Sequence, residues 1–124
     1  MTRFTTWEAP EPIWHYSKSY KAWDFIYCSG QIPIVSTTMK LVEWWIEDET
    51  RQVCRNLGEV LKKHKATLKD VVKTTIFLTD LANFDKVNSI YKDYFINKPA
   101  RSTVEVSALP MWAQIEIEAI AYIK

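Results

Sequence analysis

The sequence predicts an α+β fold, a mixed β-sheet with two helices packed on one of its faces. Three observations carry the prediction. Residues 47–64 repeat apolar side chains at helical spacing, residues 71–79 form a run rich in β-branched side chains ahead of a second helical segment, and residues 114–123 alternate apolar and polar with a period of two. The element order is strand, strand, strand, helix, strand, helix, strand, strand, and such a set packs its helices on one side of the sheet.

In chain order, Arg3 to Trp7 reads as a short first strand ending at Ala9-Pro10-Glu11-Pro12, where two prolines enforce an extended connection. Tyr20 to Ser29 carries strand-forming aromatics and reads as a hairpin pair. Gly30-Gln31-Ile32-Pro33-Ile34 then turns the chain into a loop over 36–45. From Glu47 to His64, Val53, Leu57, Val60, Leu61 and His64 share one stripe, with Arg51, Arg55, Glu59 and Lys62 largely opposite. Glu47, Asp48 and Glu49 in the first turn, and Lys62, Lys63 and Lys65 near the last, complement the helix dipole. Val71 to Thr79 is a strand. Phe84 to Phe95 reads as the second helix, with Phe84, Val87, Tyr91 and Tyr94 on one side and Asn83 as N-cap. Asn97-Lys98-Pro99 ends it. Two strands follow, Ser102 to Val106 and Gln114 to Ile123, joined through Ala108-Leu109-Pro110-Met111-Trp112.

In the last strand, Ile115, Ile117, Ala119, Ala121 and Ile123 face one way and Glu116 and Glu118 the other. Ile120 and Tyr122 share the glutamate face, which needs its own cover, and a homo-oligomer is the economical answer. Arg101 stands at the mouth of the preceding strand. A guanidinium that clamps a planar carboxylate, near a glutamate that holds a water, is the minimum kit for hydrolysing a small anionic substrate.

At 124 residues the chain is expected to form a single domain over 1–124. A net charge of +1 gives no electrostatic footprint for nucleic acid or an anionic membrane. With neither an apolar run near the roughly 20 residues of a membrane span nor a signal-peptide pattern, a cytoplasmic location is expected. Cys28 and Cys54 sit in apolar surroundings without a CxxC pattern and read as buried free thiols. His15 and His64 have no partner at metal-ligand spacing, and His64 is expected at a helix end or on the surface.

The ordered segments Ala9-Pro10 with Tyr16-Ser17, Ser29-Gly30-Gln31-Ile32-Pro33, Thr50-Arg51-Gln52-Val53, Asp70-Val71-Val72-Lys73-Thr74-Thr75, Phe84, Val87-Asn88, Tyr91, Pro99-Ala100-Arg101-Ser102, Val104-Glu105-Val106, Leu109-Pro110 and Ile115-Glu116-Ile117-Glu118-Ala119-Ile120-Ala121 together resemble the RidA (YjgF-type) enamine/imine deaminases over nearly the full chain. The resemblance implies a chorismate-mutase-like fold and a homotrimer with active sites between subunits. It also implies cofactor- and metal-free hydrolysis of 2-aminoacrylate and related 2-imino acids to 2-keto acids and ammonia, a detoxification of reactive metabolites. Carried over by motif, Arg101 would bind the substrate carboxylate. Glu116 would activate the attacking water, the Thr103 backbone would contact the imine or water, and Tyr16 and Ser29 would line the pocket. Taken singly, an arginine at a strand start is more often a surface ion-pair residue, and a glutamate on an alternating strand more often a solvated one; the motif context assigns both to a site.

The chain departs from that pattern in its glycines. It has two, where average usage of about 7% would give roughly nine, and six tryptophans at 7, 14, 23, 44, 45 and 112. Ile13-Trp14-His15-Tyr16 stands where the family usually reads Ile-Gly-Pro-Tyr. Trp23, Met39, Trp44, Trp45, Ile96 and Trp112 stand about where glycine or another small residue is common, each at a local backbone cost. Either drift or engineering accounts for the pattern. Trp14 and His15 neighbour the pocket and would narrow it, alter substrate choice or abolish turnover. Trp44, Trp45 and Trp112 would either pack back onto the body or form apolar patches for a protein partner. The second reading of function is therefore a RidA-like trimer, catalytically impaired, that serves as a binding or assembly module through its tryptophan-rich loops.

Overall fold

The structure, a computed structural model, describes residues 3–4, 15–42 and 45–124, with the backbone alone for 3–4. Its strands are β1 (Arg3–Phe4), β2 (Ser19–Ala22), β3 (Phe25–Gln31), β4 (Ile34–Val35), β5 (Lys40–Leu41), β6 (Val71–Leu78), β7 (Ala100–Glu105) and β8 (Ile115–Tyr122); its helices are α1 (Ile46–Lys62) and α2 (Phe84–Tyr94). Six strands form one sheet in the order β1-β2-β3-β8-β6-β7, and β4 pairs with β5 apart from it. Only β6 and β7 run parallel, as a strand–helix–strand crossover through α2 requires. The α+β architecture and the element order follow the sequence reading. The added β4–β5 hairpin lies where a loop was expected, its first strand and the residues leading into it held to α1 by Asn56, whose Nδ2 donates to the Ile32 and Ile34 carbonyls at 3.1 and 3.0 Å.

Parity builds the core. Ile115, Ile117, Ala119 and Ala121 of β8 are buried, as are Val71, Thr74, Ile76 and Leu78 of β6 and Ile26 and Cys28 of β3. Against them lie Val53, Cys54, Leu57, Val60 and Leu61 of α1, all fully buried. Each large aliphatic among these contributes about 1.5–3 kcal/mol through removal from water. The other face of the sheet carries Tyr20, Phe25, Tyr27, Val104 and Tyr122 in exposed positions.

Two local readings need correction. His64 does lie at the end of α1, but it is buried, and its Nε2 is 2.9 Å from the Ser19 hydroxyl of β2, which gives the ring a partner off the surface. Asn83 occupies the N-cap position of α2 without a side-chain capping bond. The chain enters α2 already turning, through a 3-10 turn over Leu81–Asn83, and the capping falls to Asp80, whose side chain accepts from the Ala82 N–H.

Among the described residues, six adopt left-handed φ and none is glycine: Trp23 (51°), Met39 (57°), Lys65 (58°), Lys98 (55°), Met111 (56°) and Trp112 (60°). Trp23, Met39 and Trp112 are three of the positions read as glycine sites. Trp45 instead sits in extended conformation, φ −81°, at the N-cap of α1, and Ile96 is not left-handed. Trp44 lies outside the described residues, as do Trp14 and the Ala9–Pro12 connection.

Candidate active site

The first cluster grows from the β6–β7 pairing. The register sets Thr74 beside Arg101 and Ile76 beside Thr103. Thr74 and Ile76 face the helices, so Arg101 and Thr103 do too. Across from them α2 offers Phe84, Asn88 and Tyr91, at i, i+4 and i+7 on one helix face. The Arg101 guanidinium lies over two rings, its carbon 4.9 Å from the Tyr91 centroid and 5.4 Å from that of Phe84. Its Nη1 donates to Asn88 Oδ1 at 2.6 Å. Tyr91 is fixed in turn by a 2.7 Å hydrogen bond between its hydroxyl and that of Thr74, and by stacking on Phe95 at 4.4 Å. Burial pushes the Tyr91 hydroxyl pKa up, opposed by the Thr74 bond and the Arg101 charge, so it stays protonated and available to that bond.

Beside this cluster opens a cavity of about 610 Å³ whose lining includes Arg101, Asn88 and Tyr91, with Lys92 and Lys98 adding positive charge and Asp85 one negative charge. Among the described residues Asn88 takes one of the five guanidinium donors, and the others are open to an anion. Among the described strands β7 pairs with β6 alone, so it is an edge strand of the described sheet, with backbone donors and acceptors facing outward. That is the setting a backbone contact from Thr103 requires. The Thr103 hydroxyl oxygen is buried without a hydrogen-bond partner among the described residues.

The second cluster lies around Glu116. In β8 this residue pairs with Phe77, one step out of phase with Thr74, and so points to the face away from the helices. The β3–β8 register slips between Cys28 and Gln31, and the Glu116 side chain fills the room left at Gly30. A Cβ there would lie 2.8 Å from the Glu116 carboxyl carbon, closer than side chains pack. Burial raises the Glu116 pKa, reinforced by the Glu118 charge. A carboxyl held that way gives and takes protons more readily near neutral pH than an exposed one. The Ser29 hydroxyl donates to the Ser17 carbonyl at 2.5 Å, and the Ser29 N–H to the Lys18 carbonyl at 2.9 Å. Its proton is thereby committed to holding the segment next to Tyr16, and Tyr16 itself is about half exposed.

The predicted residues therefore fall into two groups. Arg101 and Thr103 stand on the helix side at the sheet edge; Glu116 stands on the open side, near the β3 irregularity that holds Ser29. The expectation that the arginine lies near the glutamate fails within one chain, because alternate parity sends them to opposite faces. Asn88 was not singled out as a site residue from the sequence. Its signal was present: an asparagine inside a helix, against its propensity, at i+4 from Phe84 and i−3 from Tyr91.

Cys28 and Cys54 are free and buried, and burial pushes each thiol to about 12, which leaves neither a nucleophile near neutral pH. No group of three or more metal-ligating side chains occurs among the described residues. His15 is exposed. Trp45 and Trp112 do not pack back onto the body of the chain: they are 69% and 85% exposed. No helix among the described residues is long and apolar enough to cross a membrane.

Comparison with known proteins matches residues 6–123 to the family model described as Endoribonuclease L-PSP. A RutC family protein of Pyrococcus horikoshii is 48% identical over 118 residues, covering 94% of this chain and 94% of its own length. A Homo sapiens protein named 2-iminobutanoate/2-iminopropanoate deaminase is 42% identical over 118 residues, 94% of this chain and 86% of its own. Among solved structures, a protein of the conserved Rid family from Yersinia pestis superposes with a TM-score of 0.95 at 48% identity, covering 98% of each chain.

Proposed function

The chain belongs to the RidA family, and on that premise we propose that it hydrolyses small 2-imino and 2-enamino acids to 2-keto acids and ammonia, at sites completed between the subunits of a homotrimer. The observation that carries this reading is the Arg101 guanidinium. It is held between ring faces and Asn88 beside a cavity, with donors left over for a carboxylate. A fork so prepared binds an α-carboxylate through two parallel hydrogen bonds.

Glu116 takes a proton from water as its oxygen bonds to C2 of the imine and the C=N π pair moves onto nitrogen. The proton passes to that nitrogen to give a carbinolamine. Glu116 then takes the hydroxyl proton and hands it to the nitrogen as the C–N bond breaks and the C=O bond forms, so that ammonia leaves a 2-keto acid. An enamine first takes a proton at C3 and gives one up from nitrogen to become the imine. The raised Glu116 pKa suits this two-way traffic. Because Arg101 and Glu116 face opposite sides of their own sheet, a second copy brings a glutamate cluster to the edge that bears the arginine. The aromatic open face, with Phe25 5.2 Å from Tyr122 between ring centroids, is then covered by the other subunits.

The test is release of ammonia or keto acid from 2-iminopropanoate generated in situ, timed against spontaneous hydrolysis, with Arg101→Ala alongside. The variant is expected to stay folded and lose at least about 30-fold in kcat/KM, the equivalent of roughly 2 kcal/mol from truncating one side of a charge pair. Sedimentation is expected to give three times the chain mass. Parent-like turnover by the variant rejects the role of Arg101. A folded protein that does not accelerate hydrolysis favours the second reading, a binding module, to which the exposure of Trp45 and Trp112 points.

A further inference from the structure

We infer that Asn88 is a positioning residue, one that sets the plane in which Arg101 presents its fork to a carboxylate; the inference rests on the proposed function and deepens it. A guanidinium over a ring is free to slide and to rotate in its own plane, because attraction to a π-face has no preferred in-plane direction. Phe84 and Tyr91 therefore fix the height of the Arg101 head group and leave its rotation open. Asn88 removes that freedom. Its Oδ1 accepts from Nη1 at 2.6 Å, a charge-assisted bond to one named corner of the fork that fixes the in-plane rotation of the rest.

The support continues inward. Asn88 and Tyr91 belong to the same helix as Phe84, and Tyr91 is tied to the sheet through the buried Thr74 hydroxyl, on the residue paired with Arg101 itself. The fork is thus referenced to the strand it grows from by a closed circuit: β7 to β6, to Tyr91, to Asn88, and back to Arg101. Helix propensity makes the point independently. Asparagine in a helix interior is a poorer helix former than alanine, so helix formation by itself does not account for position 88.

The experiment is a double-mutant cycle read by binding and by kinetics. Calorimetry gives the Kd of 2-oxobutanoate, the carboxylate-bearing product, for the parent, Asn88→Ala, Arg101→Lys and the double variant; steady-state kinetics gives KM and kcat on 2-iminobutanoate. Arg101→Lys keeps the charge but loses the fork, so it leaves nothing for Asn88 to orient. Asn88→Ala is expected to weaken 2-oxobutanoate binding and raise KM about 10-fold, with kcat within about 2-fold and no fall in Tm. In the Arg101→Lys background the same change is expected to do less than 2-fold damage. Equal losses in the two backgrounds, no loss at all, or a loss that tracks a lowered Tm each overturn the inference. Should Asn88→Ala fail to fold, Asn88→Leu keeps the side-chain volume, lacks the acceptor and is held to the same outcomes. A parent protein that neither binds the keto acid nor turns over the imine overturns the proposed function, and this inference with it.

Discussion

Replacing Trp23 by glycine should stabilise this protein, although it deletes the largest side chain in the genetic code. Trp23 is the first of the two residues joining β2 to β3, whose flanking residues Ala22 and Phe25 are paired. Its φ of 51° is the left-handed value that the opening residue of such a connection needs, and the one glycine usually supplies. With a Cβ, that conformation costs about 1–2 kcal/mol. Glycine gives back about 0.5–1 kcal/mol through its freer unfolded state. The ring is 91% exposed, so its removal forfeits almost no burial. The net gain is about 0.5–1 kcal/mol. An unfolding entropy of about 2.1 cal/mol/K per residue makes roughly 260 cal/mol/K for the chain, so the midpoint should rise by about 2–4 °C. Thermal and urea unfolding at one fixed protein concentration measure it, with Trp23→Ala as control: that variant removes the ring, keeps the Cβ, and should show no gain. A Trp23→Gly protein no more stable than the control would refute the torsional argument.

Two further variants probe the glutamate cluster. Gly30→Ala would put a Cβ 2.8 Å from the Glu116 carboxyl carbon and displace that carboxylate; kcat should fall by about 10-fold or more while Kd for 2-oxobutanoate stays near the parent value, and an unchanged kcat would dissociate Glu116 from the chemistry. Glu116→Gln should abolish turnover yet raise stability in a pH-dependent way. The folded pKa of Glu116 lies above its ordinary 4.5, so the carboxyl favours the fold most below 4.5 and loses that contribution as pH rises through the shifted value. The variant's advantage in urea midpoint should thus be present at pH 8 and gone at pH 4, and an advantage independent of pH would contradict the assigned cause.

The helices and the central strands were legible because burial on one face writes a period into the sequence. Val53, Leu57, Val60 and Leu61 mark α1, and Ile115, Ile117, Ala119 and Ala121 mark β8. Motif order supplied the site candidates, and parity already said that Glu116 lies away from the core. What parity within one strand cannot say is which face another strand shares, so the separation of Arg101 from Glu116 emerged only with the β6 register between them. The β4–β5 hairpin, with two residues in each strand, is too short for a period to register. Asn88 carries its role through one hydrogen bond to a residue 13 positions away, and no local pattern encodes such a bond. The left-handed sites at Lys65, Lys98 and Met111 were hidden for a related reason: the chain places there residues that do not announce the conformation.

The strand order carries a consequence for how the molecule is made. β8 pairs on one side with β3 and on the other with β6, yet it follows both of them, and every other strand, in the chain. Until it is synthesised, the first half of the sheet and the second have no shared neighbour, and α1 lacks the floor on which its apolar stripe rests. At about 5–20 residues per second, the nascent chain spends several seconds with β3 and β6 each showing a bare edge. The six-stranded sheet closes only when its keystone, the strand bearing Glu116, leaves the ribosome.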